Sequence, residues 1–385
     1  MKRPVVVVGG GIVGTAIAYT LRLGGVDTIL VERDPEPQGA SAFSFAALSA
    51  FDEPQRDFYL LKTHGLVTWR SWAKEFGESL GVTFTGETRW AESADSAAHL
   101  KTMIERALAR GYGTHYATES QVLEQEPGAR PKGLVTAAIS PHDGQADPTK
   151  AIAVLRRAFN DAGGTTLVGR ASIMIGDPDI TVRVGEDRLE AATVVVAAGA
   201  ETAALLDRLG WEIPMDPSPG LLAVTKPVPP FLNGTVYVYP DDDIAVHLRQ
   251  LRDGRVVIGE RAQDEVATDP TAEHAELLLR RARISFPALE DAELDHFTLE
   301  WRPMPRDHMP IVGPLPGIPS IYVATSHSGV TIAPALAEFV AQEIVEGHEV
   351  ERLKPLRPVR FAARQADAYR SIEEAFSGSP EFFLG

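Results

Sequence analysis

The chain contains no cysteine. That excludes disulfides, thiolate-bound zinc, iron–sulfur clusters, a thiol nucleophile and any cofactor tethered through sulfur. Positive charge is also scarce: 37 Lys and Arg stand against 53 Asp and Glu, a formal charge of −16. This balance argues against nucleic acid and anionic membrane surfaces as main partners. Long apolar runs are missing too. Residues 4–21 carry no charge and follow Lys2 and Arg3, as in a signal peptide. Three adjacent glycines, Gly9 to Gly11, and the lack of a clean A-x-A-like cleavage site favour instead a buried strand running into a turn and a helix. Residues 314–337 are uncharged but hold Pro, Gly, Ser and His, which is too polar for a transmembrane helix. No integral membrane segment is expected, and a cytoplasmic protein is the default.

The remainder is ordinary globular composition, 44% hydrophobic and 23% charged over 385 residues, which rules out a wholly disordered or fibrous chain. The length fits two or three domains. Val5 to Val8 is a continuous β-branched run, the pattern of a parallel strand buried on both faces. Residues 12–23 then have helical spacing, and 28–31 form the next strand. Residues 58–76 predict a helix with Leu66, Trp69, Trp72 and Phe76 on or near one face. A second amphipathic helix, 97–110, stops at Gly111. Asp147-Pro148 reads as an N-cap with proline at the first helical position. Residues 193–197 and 321–324 are further apolar strands. Between them, Ala245, His247 and Arg249 alternate with Val246 and Leu248, which predicts an antiparallel sheet with two unlike faces. A charged helix is expected near 272–283.

The α/β texture at the start, middle and end, interrupted twice, predicts one discontinuous α/β domain and a second domain built from insertions. The boundaries are 1–85, 141–215 and 301–362 for the first, 86–140 and 216–300 for the second, and 363–385 for a tail. Trp90 is expected in the core.

Gly9, Gly11 and Gly14 form G-x-G-x-x-G between a strand and a helix. The first allows a tight turn, the second lets the backbone approach a pyrophosphate, and the third permits close helix–strand packing. Phosphates would sit over free N–H groups at the positive end of the helix dipole. Glu32, at the end of the second strand, is placed to accept hydrogen bonds from ribose hydroxyls and disfavours a 2′-phosphate. The motif alone does not separate FAD from NAD.

Other stretches add to this. Gly39-Ala40-Ser41-Ala42-Phe43-Ser44-Phe45-Ala46 is a small-residue loop, and Asp143-Gly144 precedes Asp147-Pro148. Residues 194–198 lead to Gly199, and Tyr322-Val323-Ala324 leads to His327-Ser328-Gly329-Val330-Thr331. The most diagnostic stretch is Arg302-Pro303-x-Pro305-x-Asp307-x-x-Pro310-Ile311-x-Gly313. Together these resemble the FAD-dependent D-amino-acid oxidase superfamily, with glycine oxidase, sarcosine oxidase and D-amino-acid dehydrogenase among its members. The resemblance covers about residues 4 to 362.

The resemblance implies an α/β, two-domain fold: a Rossmann-like FAD-binding domain with an inserted antiparallel-sheet substrate domain. It implies non-covalent FAD held by Gly9, Gly11, Ile12, Val13, Gly14, Glu32, Arg33, Ser41, Ser44, Phe45, Ala46, Ala171, Ala198, Gly199, Arg302, Ser328, Gly329, Val330 and Thr331. The helix starting near Thr331 would point its N-terminus at the flavin and stabilise negative charge there. Arg302 matches an arginine that binds a substrate carboxylate, a task suited to a guanidinium fork. His247, Arg249 and Tyr239 are the other candidate catalytic residues, with Tyr237 alternating similarly. No metal is expected.

The implied activity is oxidation of the C–N bond of a small amino acid or secondary amine to an imine, by hydride transfer to flavin N5. Oxygen or another electron acceptor would reoxidise the cofactor. Two readings stay open beside it, a 2-hydroxy-acid dehydrogenase of the same fold and a non-catalytic FAD-binding assembly subunit. The sequence also leaves a homo-oligomer open. Two departures bear on the substrate and the oxidant. Glu300-Trp301 stand before Arg302 where the family commonly has glycine. The strand 256–259 lacks the lysine that sarcosine-oxidase-like members use to activate oxygen.

Overall fold

A computed structural model describes residues 3–176, 180–240, 245–260 and 271–362. The expected tail, 363–385, lies outside the described residues. The four valines Val5–Val8 are buried at the middle of a six-stranded sheet. β-branched side chains suit a strand covered on both faces, because each side is packed rather than solvated. Thr28–Glu32 lies parallel on one side and Thr193–Val196 parallel on the other. Beyond them come Thr165–Val168 and Ile318–Thr325, also parallel, and the antiparallel edge strand Ile311–Leu315. The apolar strands expected at the start, middle and end of the chain are therefore neighbours in one sheet. Ile12–Leu23 and Gly329–Glu346 pack side by side on one face of it. A three-stranded antiparallel sheet, Ala171–Ile175, Ile180–Val184 and Asp187–Ala191, shares the apolar cluster on the other.

The second sheet has eight strands. Their order is Leu294–Pro305, Met215–Thr225, Val256–Glu260, Val246–Gln250, Thr235–Tyr239, Glu87–Ala91, Thr136–Ser140 and His115–Tyr116. The sequence expectation of an antiparallel sheet needs one correction, because Glu87–Ala91 runs parallel to Thr235–Tyr239. These two strands lie far apart in the chain, so no hairpin fixes their relative direction. Val246 and Leu248 face an apolar cluster with Trp90, Val236, Val238, Ile258 and the helix Ala272–Ser285. The expected alternation therefore holds: this face is core, and the opposite face is left for His247 and its neighbours. Among the described residues no helix is long and apolar enough to cross a membrane.

Glu126 ties together two distant stretches of the chain. It is fully buried and accepts from the backbone N–H groups of Asn233 (2.8 Å) and Gly234 (3.1 Å) and from the Thr88 hydroxyl (3.4 Å). Burial outweighs these donors and pushes its carboxyl up from 4.5 to about 7. The folded state thus binds more protons than the unfolded state between those values, so stability falls as pH rises through 4.5 to 7 and is level above. A Glu126→Gln variant keeps an acceptor without the charge. Its unfolding free energy in urea, relative to wild type at fixed FAD, is expected to improve by about 3 kcal/mol between pH 4.5 and pH 7.5. A pH-independent difference would refute this.

Candidate functional site

The glycine turn is built by close contacts. A Cβ on Gly9, whose φ is +109°, would lie 2.4 Å from the Ala197 carbonyl oxygen, and one on Gly14 would lie 1.9 Å from the Gly9 carbonyl oxygen. Only hydrogen fits at either position. Gly11 caps the helix Ile12–Leu23 without a side-chain cap of its own. Ser41 reaches over to accept from the Ile12 N–H at 3.1 Å. Glu32 folds back so that its carboxylate accepts from the Gly10 and Asp34 N–H groups. Val13 lines the cavity above this turn, and Arg33 sits at its rim, paired with Asp34 (2.8 Å) and Glu201.

The second wall is the loop from Gly39 to Ala46. Ser44 caps it by accepting from the Ala46 N–H at 3.0 Å, and Ala46 adopts φ +56°. The Phe45 ring stands edge-on to His247 with centroids 4.2 Å apart. Opposite, Ser328 takes a left-handed φ of +54° and opens the helix Gly329–Glu346 with no side-chain cap. Gly329, Val330 and Thr331 line the cavity at this helix start. The Thr331 hydroxyl donates to the Ala47 carbonyl (3.0 Å) and Trp69 Nε1 donates to the Val330 carbonyl (2.8 Å), which fix the turn. Ala171, Ala198 and Gly199 complete the dinucleotide side.

The third wall is the polar face of the eight-stranded sheet. Strand register aligns Arg89, Tyr237, His247 and Gly259 in one row across four strands. Gly259 makes room for His247, since a Cβ there would fall 2.4 Å from Nε2. Tyr239, Tyr237, His247, Glu300 and Arg302 all line the cavity.

Arg249 needs a correction. It does not line the cavity: its guanidinium turns onto the carbonyls of Ala146 (2.6 Å) and Ser44 (3.4 Å). Burial lowers its pKa to about 10. It braces the sheet against the loop that carries Phe45, because the loop covers that end of the face. We therefore assign it no contact with substrate.

Sequence reasoning missed three cavity residues. Arg89 is buried under the Tyr237 ring at 3.9 Å, with Nε donating to Glu87 (2.7 Å) and Nη1 to the Tyr239 hydroxyl (2.8 Å). Lys62 pairs with Glu53 at 2.9 Å and both are buried. His327 lines the cavity, and burial with Arg302 and Lys62 nearby pushes its pKa down to about 3, so its ring is neutral at working pH. Two signals were available. Lys62 interrupts the buried stripe of Phe58, Leu61, Gly65, Leu66 and Trp69. Arg89 shares a strand face with Glu87 by the two-residue period.

These walls enclose one cavity of about 2100 Å³, running from the Gly9–Glu32 turn to Arg302 and Tyr239. Sites for small ligands are commonly about 300–1,000 Å³. The surplus, the glycine cradle and two helix N-termini whose N-cap residues make no side-chain cap fit a bound dinucleotide together with a substrate.

Fold and site define a dinucleotide-binding oxidoreductase. The chain belongs to the FAD dependent oxidoreductase family DAO, whose model matches residues 4–343. It is 24% identical over 376 residues to a subunit of the opine oxidase of Rhizobium meliloti, covering 94% of this chain and 98% of that one. It is 24% identical to the mitochondrial dimethylglycine dehydrogenase of Mus musculus over 98% of this chain, yet spans only 48% of that longer protein. Its fold matches the solved structure of glycine oxidase from Geobacillus kaustophilus with a TM-score of 0.83 at 24% identity, covering 92% of this chain and 98% of that one. The chain is thus an FAD-dependent enzyme of the DAO fold.

Proposed function

We propose that the protein oxidises the C–N bond of a small amino acid or secondary amine to an imine. The observation that carries this reading is the position of Arg302 on the wall of the cavity that also holds the dinucleotide cradle. The names of the relatives, with glycine, dimethylglycine and opine as the compounds acted on, support the same substrate class. Residues 1–85, 141–215 and 301–362 would form the FAD-binding unit, with 86–140 and 216–300 over the substrate.

When bound, FAD supplies the hydride acceptor. The chain's own residues supply the rest. Gly9, Gly11 and Glu32 would hold the dinucleotide, and the helix starting at Gly329 would offer the positive end of its dipole to negative charge on the bound cofactor. Arg302 receives the substrate carboxylate with two parallel N–H donors and so orients the amine. Tyr237, His247 and Leu222 line the sheet side and would keep water from the bound amine. In that dry space the neutral amine is favoured over the ammonium, because burial penalises charge. The neutral ring of His327 adds no competing positive charge.

The test is anaerobic mixing of purified holoenzyme with amino acids, N-methyl amino acids and 2-hydroxy acids while the flavin band near about 450 nm is followed. Bleaching by an amine is the expected result. Bleaching by hydroxy acids alone would overturn it in favour of a hydroxy-acid dehydrogenase. No bleaching by any small substrate would favour a non-catalytic subunit. Admitting air to the bleached enzyme then separates oxygen from another acceptor.

A further inference from the structure

We propose that Arg89 is a second anion anchor in the cavity, and that the substrate carries a further carboxylate beyond the one at Arg302. The proposal rests on the amine-oxidation reading for the identity of the substrate, but not for the existence of the anchor.

Arg89 is 2% exposed, yet it lines the cavity. Keeping a guanidinium in such a place is costly unless it is held and used. It is held firmly. Glu87 takes Nε, the Tyr239 hydroxyl takes Nη1, and the rings of Tyr237 (3.9 Å) and Phe51 (4.7 Å) flank the plane. Among the described residues no hydrogen bond reaches Nη2. A fork fixed on one edge and open on the other is a preorganised donor for a planar oxyanion.

The acids around it do not fill that edge. Asp52 forms an ion pair with Nη1 at 3.8 Å, beyond hydrogen-bond distance, and so compensates charge without occupying Nη2. Asp143 is engaged elsewhere, accepting from Ser49 (2.7 Å) and Tyr112. Burial raises the carboxyls of both Glu87 and Asp143, and their proximity disfavours two full negative charges. Lys62 and Glu53 offset one another.

Position then sets the ligand. The strand of Arg89 and the strand of Arg302 are five steps apart in the sheet. A carboxylate held by the guanidinium on one of these strands leaves the guanidinium on the other to a second anionic group. A monocarboxylic amino acid engages one end only. An extended amine with a carboxylate at each end engages both.

The experiment is calorimetric titration of the holoenzyme with succinate, glutarate and adipate, and with butyrate, valerate and hexanoate as one-carboxylate counterparts. At least one diacid is expected to bind about tenfold more tightly than its counterpart. Arg89→Met is expected to erase that preference while leaving monocarboxylate affinity within about twofold. Arg89→Lys keeps the charge without the fork and is expected to restore part of it. Arg302→Met should weaken both series.

Equal binding of the two series by wild type overturns the anchor. So does an Arg89→Met variant that weakens both alike, because that is the mark of a structural role. Should Arg89→Met fail to fold with Glu87 left uncompensated, the double variant Arg89→Met, Glu87→Gln carries the same test. The readout needs no turnover. An Arg89-dependent diacid preference without flavin bleaching by any amine would sink the amine reading alone. Amine bleaching without the preference would sink the anchor alone.

Discussion

Gly14→Ala is expected to purify with little or no flavin and to unfold at markedly lower urea than wild type. The added Cβ would lie 1.9 Å from the Gly9 carbonyl oxygen and 3.2 Å from the Ala197 Cβ. Gly9 is tied by its N–H to the Val31 carbonyl at 2.9 Å, and Ala197 is so near that a Cβ on Gly9 would fall 2.4 Å from its carbonyl oxygen, so the turn has little room to retreat. The helix Ile12–Leu23 must therefore lift from the sheet, although Ile12, Ala16 and Ile17 are buried beneath it. Overpacking of this kind costs about 1–3 kcal/mol or more, a large part of a typical stability of about 5–15 kcal/mol. The same movement displaces the N–H groups that would receive the pyrophosphate, so cofactor and stability should fall together.

Gly25→Ala is the control. Its φ is +79° but nothing lies within 4 Å of the added carbon, so only the left-handed backbone penalty of about 1–2 kcal/mol applies. The flavin-to-protein absorbance ratio of the two variants decides the matter. A Gly14→Ala protein with a full flavin complement would show that the turn does not hold the dinucleotide.

The dinucleotide side was legible in the sequence because its constraints are local. Glycines at fixed spacing, a β-branched run and an acid at a strand end each state their own geometry, and Gly9, Gly14 and Glu32 stand where that geometry requires. The alternation of residues 245–249 was equally informative about faces, and His247 does reach the cavity. It could not say what covers each part of a face. Arg249 shares the face of His247 but meets the carbonyls of Ala146, at a strand end, and of Ser44, in a loop, rather than open space. That outcome depends on segments 103 and 205 positions away in the chain. Arg89 and Lys62 were hidden for the opposite reason. A charged residue in a short strand or a helix reads as solvated; burial of Arg89 and Lys62 is offset by Glu87 on the same strand and by Glu53, and only the tertiary packing around each pair shows that it is buried.

Arg302 should show the largest kinetic effect. Its strand register sets it opposite Ser218, on the same strand as cavity-lining Glu300 and Met304. If it binds the substrate carboxylate, removing it leaves that anion in the cavity without its paired donor. Truncating one partner of a buried, hydrogen-bonded charge pair costs about 2–5 kcal/mol, so Arg302→Met is expected to lower kcat/KM by roughly 10²–10³-fold. Arg302→Lys should recover only part of this, because an ammonium offers a point charge without the paired donors. An amine of the same size without a carboxylate supplies the contrast. It gains nothing from the guanidinium, so its already low kcat/KM should change little between wild type and variants. Arg302 also contributes, after burial, to holding His327 neutral. Its loss should therefore raise the His327 pKa, visible as an upward shift of that imidazole's titration by NMR. A parallel fall for both amines, with His327 unmoved, would mean that Arg302 supports the fold of the cavity rather than its ligand.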